Sequence, residues 1–189
     1  RLALKAFCET VTSFPATLTV HSVPVVTFAE NPLKACGGEA EDLVPIITGG
    51  LETWVQNLWT GNVGPLNNYF TQTPTFKTVI AGTYELNYRV KDSNGCYGNS
   101  DLTVVVDSPD AAFTVEPTSG CTPLTVAFSK EMSGLTGWTW NFGDGTPENT
   151  TDDDLVHEFT NNTATSILYR TVTLTVRSAG GCTATKNAM

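Results

Sequence analysis

Apolar and polar residues alternate with a period of two along most of this chain, always in short runs. Tyr84-Glu85-Leu86-Asn87-Tyr88-Arg89-Val90 and Val172-Thr173-Leu174-Thr175-Val176 are the cleanest instances, and such alternation places every second side chain on one face of a strand. Pro24 to Phe28, Leu43 to Ile47 and Trp54 to Trp59 read as further strands, while Thr17-Leu18-Thr19-Val20 and Leu102-Thr103-Val104 alternate in the same way. The joining segments, such as Thr60 to Asn68, are rich in Gly, Asn and Pro. Lys91-Asp92-Ser93-Asn94-Gly95 reads as a hairpin turn, because Asn and Gly tolerate the positive φ that such turns need. No stretch carries the 3.6-residue apolar period of a long helix, so the pattern predicts an all-β chain.

The landmarks repeat. Cys36 and Cys121 lie 85 positions apart, and Cys96 and Cys182 lie 86 apart; Pro24 with Pro109, and Phe28 with Phe113, keep the offset of 85. A period this long fits whole sandwich domains in a row rather than the short units of a solenoid. Residues 23–107 and 108–189 therefore read as two domains, the second with its last strand cut short. Residues 1–22, with Cys8 placed 88 positions before Cys96, read as the last strands of a preceding repeat. The boundary falls near Asp107-Ser108-Pro109-Asp110, a short joint whose proline should limit bending.

One stretch is more specific. In Trp138-Thr139-Trp140-Asn141-Phe142-Gly143-Asp144-Gly145 three aromatics at every second position share a strand face, and Gly-Asp-Gly then turns the chain. The run resembles the W-x-F-G-D-G signature of the polycystic-kidney-disease (PKD) domain, and Cys121 to Phe128, His157-Glu158-Phe159 and Val172 to Val176 agree with it. What the resemblance implies is a tandem of immunoglobulin-like, PKD-type β-sandwiches of seven strands each. The first repeat is a divergent cousin, with Trp59-Thr60-Gly61-Asn62-Val63-Gly64 where the signature should stand. Tyr169 sits one position early, with Arg170 in the place of the family's tyrosine, so a bulge or slipped register is expected there. Tandem repeats ending in N-G-C or G-G-C also look like those of large Bacteroidota surface proteins, including SprB-like gliding adhesins exported by type IX secretion. That likeness implies an extracellular, non-catalytic stalk or adhesin at the cell surface. Its partners would be neighbouring repeats of the same chain, with surface polysaccharide or other cell-surface proteins as ligands. The alternative is a spacer or carbohydrate-binding module of a secreted hydrolase.

Composition narrows the chemistry. With 40% apolar and 15% charged residues the chain suits strands and turns, and a net charge of -9 with ten unclustered Lys and Arg is poorly suited to nucleic acid. No apolar run approaches the roughly 20 residues of a membrane helix. The five cysteines are too far apart for zinc, and the single His21 and His157 offer no base to a nucleophile, which leaves disulfides Cys36 to Cys96 and Cys121 to Cys182, one per domain. Such bonds imply an oxidising compartment, and Cys8 would pair upstream or remain a thiol. Acids gather at Asp107 and Asp110, and at Asp144 and Asp152 to Asp154. They read either as a calcium site or as turn and loop residues, and the second reading is preferred because neither group has the Asp-x-Asp-x-Asp-Gly spacing of a dedicated loop. No other cofactor and no catalytic constellation is expected. Trp59 and Trp140 occupy matching places and read as core, whereas Trp54, without a counterpart, reads as an exposed contact.

Overall fold

The computed structural model describes residues 16–131, 134–148, 154–163 and 165–189. Their regular structure is all strand and turn, without a helix. Eight strands surround a first core: β1 (Val25–Thr27), β2 (Leu33–Cys36), β3 (Ala40–Asp42), β4 (Ile46–Thr48), β5 (Trp54–Gly61), β6 (Thr75–Lys77), β7 (Gly82–Asp92) and β8 (Tyr97–Asp107). They form a four-stranded sheet in the order β2-β8-β7-β5 and two small pairs, β1-β4 and β3-β6. The inward residues are the ones the alternation marks: Leu86, Tyr88 and Val90 from β7 and Leu102, Val104 and Val106 from β8 meet Trp59, Val26 and Phe76. Trp59 is 1% exposed, and its ring lies 4.8 Å from that of Tyr88.

Seven strands surround a second core: β9 (Phe113–Glu116), β10 (Leu124–Lys130), β11 (Leu135–Asn141), β12 (Pro147–Glu148), β13 (Asp154–Phe159), β14 (Val172–Ser178) and β15 (Thr183–Ala188). The three-stranded sheet β13-β10-β9 faces the four-stranded sheet β12-β11-β14-β15, and both contribute to one aromatic core. The Phe128 ring lies 5.4 Å from that of Trp140 and 5.2 Å from that of Phe142, tilted against both. All three rings are essentially inaccessible to water, and burying each contributes about 2–3 kcal/mol.

Four expectations are corrected. Leu43 to Ile47 is not one strand: β3 stops at Asp42 and β4 starts at Ile46, because Pro45 has no N–H to give a ladder and Leu43 turns its own to the Pro74 carbonyl at 2.9 Å. Thr17 to Val20 is not a strand, and Leu18 and Val20 stand 88% and 84% exposed; alternation needs a hydrogen-bonded neighbour, and no described strand pairs with this segment. No bulge forms at Tyr169 and Arg170, which precede the strand; the shifted register lies between Leu135 and Gly137 on β11. Trp54 is half-buried and packs against the first core rather than standing out as an exposed contact.

Candidate functional site

Trp140 and Phe142, the inward pair of the signature strand, are 1% and 0% exposed; Trp138 is half-buried against the same core, with the Lys130 ammonium 4.4 Å above its ring. Immediately afterwards the chain turns through Gly143 and Gly145, with φ of 70° and 93°. A Cβ on Gly143 would sit 2.6 Å from the Thr171 carbonyl oxygen, so this turn needs glycine twice over. Asp144 accepts the Thr146 N–H at 3.0 Å and the Thr146 hydroxyl, and its other oxygen meets His157 Nε2 at 2.7 Å. The His157 ring in turn stacks on Phe142, centroids 3.9 Å apart. Burial by itself would raise the Asp144 pKa, but the bonds from Thr146 and His157 outweigh it and hold the carboxyl at about 2. Arg170 donates to the Gly143 carbonyl at 2.9 Å and closes the turn from the other side. The sequence marks the turn and names His157 and Arg170, 13 and 26 positions beyond Asp144, but gives no sign that the fold brings both onto it.

The acids do not assemble. Asp144 serves its turn, Asp107 lies at the end of β8 where its Oδ2 accepts the Ser178 hydroxyl, and Asp110 follows in the segment leading to β9. Asp152 lies outside the described residues. Among the described residues no three His, Cys, Asp or Glu side chains converge as a metal site.

The cysteines do assemble, in a pairing that spacing did not suggest. Cys36 is bonded to Cys182, with Cα atoms 5.5 Å apart, while Cys96 and Cys121 are thiols; Cys8 lies outside the described residues. The expected bonds Cys36 to Cys96 and Cys121 to Cys182 are thereby corrected, and the reason is geometric. Cys36 ends β2 and pairs with Asp107 at the last position of β8, whereas Cys96 immediately precedes Tyr97 at the first. Eleven strand residues separate those ends, roughly 33 Å, and a disulfide spans no more than about 7 Å between Cα atoms. In the second core Cys182 sits in the β14–β15 turn beside Arg177 and Thr183. Cys121 lies at the opposite end of β14, lining a cavity of about 530 Å³ with Leu124, Phe159, Tyr169 and Val172.

The Cys36–Cys182 bond therefore joins an end of the first core to a hairpin of the second, and the surroundings are built for close approach. The Gly37 N–H donates to the Asp107 carbonyl at 2.8 Å, tying the ends of β2 and β8 together. From the opposing hairpin the Ser178 hydroxyl donates to the Asp107 carboxylate. A Cβ on Gly180 would lie 2.3 Å from that carboxylate, and one on Gly37 would lie 2.4 Å from Ser108 Oγ. Two glycines thus leave room for the Asp107 and Ser108 side chains beside the bond, and Cys182 is left 4% exposed.

No family model matches the chain. No curated protein matches it either. Among solved structures it is similar to the N-terminal four Ig domains of Dscam1 isoform 9.44, at 14% identity over 91% of this chain and 46% of that one, with a TM-score of 0.41. It is also similar to the PKD domain of human KIAA0319, at 16% identity over 58% of this chain and 99% of that one, with a TM-score of 0.40. A third likeness is to the fibronectin(III)-like modules of Clostridium thermocellum CbhA, at 10% identity over 86% of this chain and 91% of that one, with a TM-score of 0.37. The chain thus spans less than half the length of the Dscam1 structure.

Proposed function

We propose that this chain is a non-catalytic, extracellular structural segment in which two sandwich units, about residues 23–107 and 108–189, are locked end to end. The observation that carries the proposal is the Cys36–Cys182 bond between the two cores. Disulfides form and persist chiefly in oxidising compartments, which supports the extracellular reading. Its placement also removes the freedom that a short linker leaves to neighbouring units, which suits a stalk that transmits force or holds a distance. The finer reading is a stalk or adhesin of a large surface protein, of the gliding or attachment type. It is supported by the 85-residue period and the signature strand, and it leaves surface polysaccharide or another surface protein as the ligand.

Pulling single molecules by residues 1 and 189 tests the mechanical role. The bond shields the 146 residues of chain between its cysteines from extension, and at up to about 3.6 Å per residue this hides roughly 500 Å of contour length until a reductant is added. A chain that extends to full length without reductant would end the proposal. Retention on insoluble surface polysaccharide, kept by the oxidised chain, would support the adhesin form; none on any polysaccharide or cell surface would leave the stalk alone.

A further inference from the structure

We infer that the loop between β5 and β6, residues 62–74, carries a binding site for a neutral polysaccharide, formed by the exposed rings of Tyr69 and Phe70. The inference names a site for the adhesin reading given above and rests on that reading. Tyr69 and Phe70 are 43% and 61% exposed, with ring centroids 4.3 Å apart and planes inclined at 46°. Single exposed apolar side chains are common on any surface, whereas two adjacent aromatics held out on a fixed backbone are not explained by folding. Here the backbone is fixed from the core. The buried Trp59 donates its N–H to the Tyr69 carbonyl at 2.8 Å and its indole Nε1–H to the Thr71 carbonyl at 3.1 Å, so both sides of Phe70 are tied to one enclosed residue. The base of the loop is closed by a bridge between Leu66 and Phe76 and by the Lys77 N–H, which donates to the Pro65 carbonyl at 3.0 Å. Such a loop holds the rings in place before a ligand arrives, which removes an ordering cost from binding.

The surroundings decide the chemistry of the ligand. No residue from Thr53 to Phe76 is charged, although 15% of the whole chain is, so the loop offers no charged partner to a phosphate, a carboxylate or an ammonium group. Its polar groups include two amides: Asn67 Oδ1 accepts the Thr75 N–H at 3.0 Å, and Asn68 Oδ1 accepts the Phe70 N–H at 2.9 Å. With their oxygens held by the backbone, these two exposed residues keep their Nδ2 donors for an outside acceptor. A pyranose ring matches this pairing, with an apolar C–H face for an aromatic ring and hydroxyls at its edge for amide donors. Rings inclined at 46° do not both lie against one flat surface, whereas a single polysaccharide chain turns from one residue to the next and can meet both. Tyr97, also exposed at 47%, has different company: Arg89 and Lys91 each lie 5.2 Å from its ring centroid.

The test is native electrophoresis of the oxidised full chain through gels containing a soluble mixed-linkage β-glucan, a galactomannan or alginate, with flotation on phosphatidylcholine vesicles alongside. The expected result is retardation by a neutral polysaccharide and none by alginate, weakened about tenfold in Tyr69→Ala and in Phe70→Ala and kept in Phe70→Tyr. Both alanine variants retain the backbone bonds to Trp59, so their melting temperatures should match that of the unmodified chain. Tyr97→Ala should bind as the unmodified chain does. Undiminished binding in the Tyr69→Ala, Phe70→Ala double variant would overturn this site and leave the adhesin reading standing. Retardation by alginate alone, or flotation with the vesicles in place of any retardation, would overturn the neutral-sugar chemistry. No retardation by either neutral polysaccharide would also overturn the site, and the adhesin reading falls with it only if intact cell surfaces fail to retain the chain as well.

Discussion

If Cys36 and Cys182 share one bond, removing either removes all of it. A closed loop of 146 residues is worth about 5 kcal/mol on the loop-entropy model. When only the second core unfolds, the first still holds Cys36 near Asp107, and the loop runs from there to Cys182 (182 minus 107, about 75 residues), which lowers the figure to about 4.5 kcal/mol. Cys36→Ser, Cys182→Ser and the double variant should therefore each destabilise the second core by the same 3–5 kcal/mol. Two separate bonds, Cys36 to Cys96 and Cys121 to Cys182, would make the single effects fall on different cores and add in the double variant. Guanidinium unfolding followed by tryptophan fluorescence distinguishes these, with Trp138→Phe and Trp140→Phe in a companion set so that Trp54 and Trp59 report the first core alone. Additive losses, or a loss in Cys96→Ser equal to that in Cys36→Ser, would refute the reasoning.

The Asp144 carboxyl is held at about 2 against an ordinary 3.8, so its contribution is present above pH 3.8 and disappears as pH falls towards 2. Screening at this partly covered site limits it to about 1–2 kcal/mol, and Asp144→Asn should flatten the acid limb of a stability-against-pH curve over that range; an unchanged limb would refute the pairing. Trp140→Ala should cost about 3–5 kcal/mol in thermal or denaturant unfolding, because the residue is fully enclosed by Phe113, Phe128 and Phe142. Gly180→Val should slow or prevent formation of the Cys36–Cys182 bond by driving a side chain into Asp107, read as unreacted thiol after oxidative refolding. Calcium addition or EDTA should leave the melting temperature unchanged, since Asp107 and Asp144 already serve Ser178, Thr146 and His157; a calcium-dependent shift would contradict this.

Local pattern by itself determined the strands and their faces. Alternation identifies the inward residues of β7, β8 and β14, the tryptophans at matching places, Trp59 and Trp140, are both core, and Gly143 and Gly145 mark a turn whose positive φ only glycine adopts freely. Each of these depends on residues within one strand or one turn, and that much is written in consecutive positions. The pieces that failed depend on neighbours: Thr17 to Val20 alternates without a described strand beside it, and Pro45 breaks a ladder that the apolar residues around it suggest. Spacing revealed the repeat of the cysteines but not their bond, because a strand of eleven residues carries Cys96 and Cys36 to opposite ends of one core while the packing of two cores brings Cys36 and Cys182 to 5.5 Å. Which ends meet is a property of how the two cores pack, and only the tertiary structure decides it.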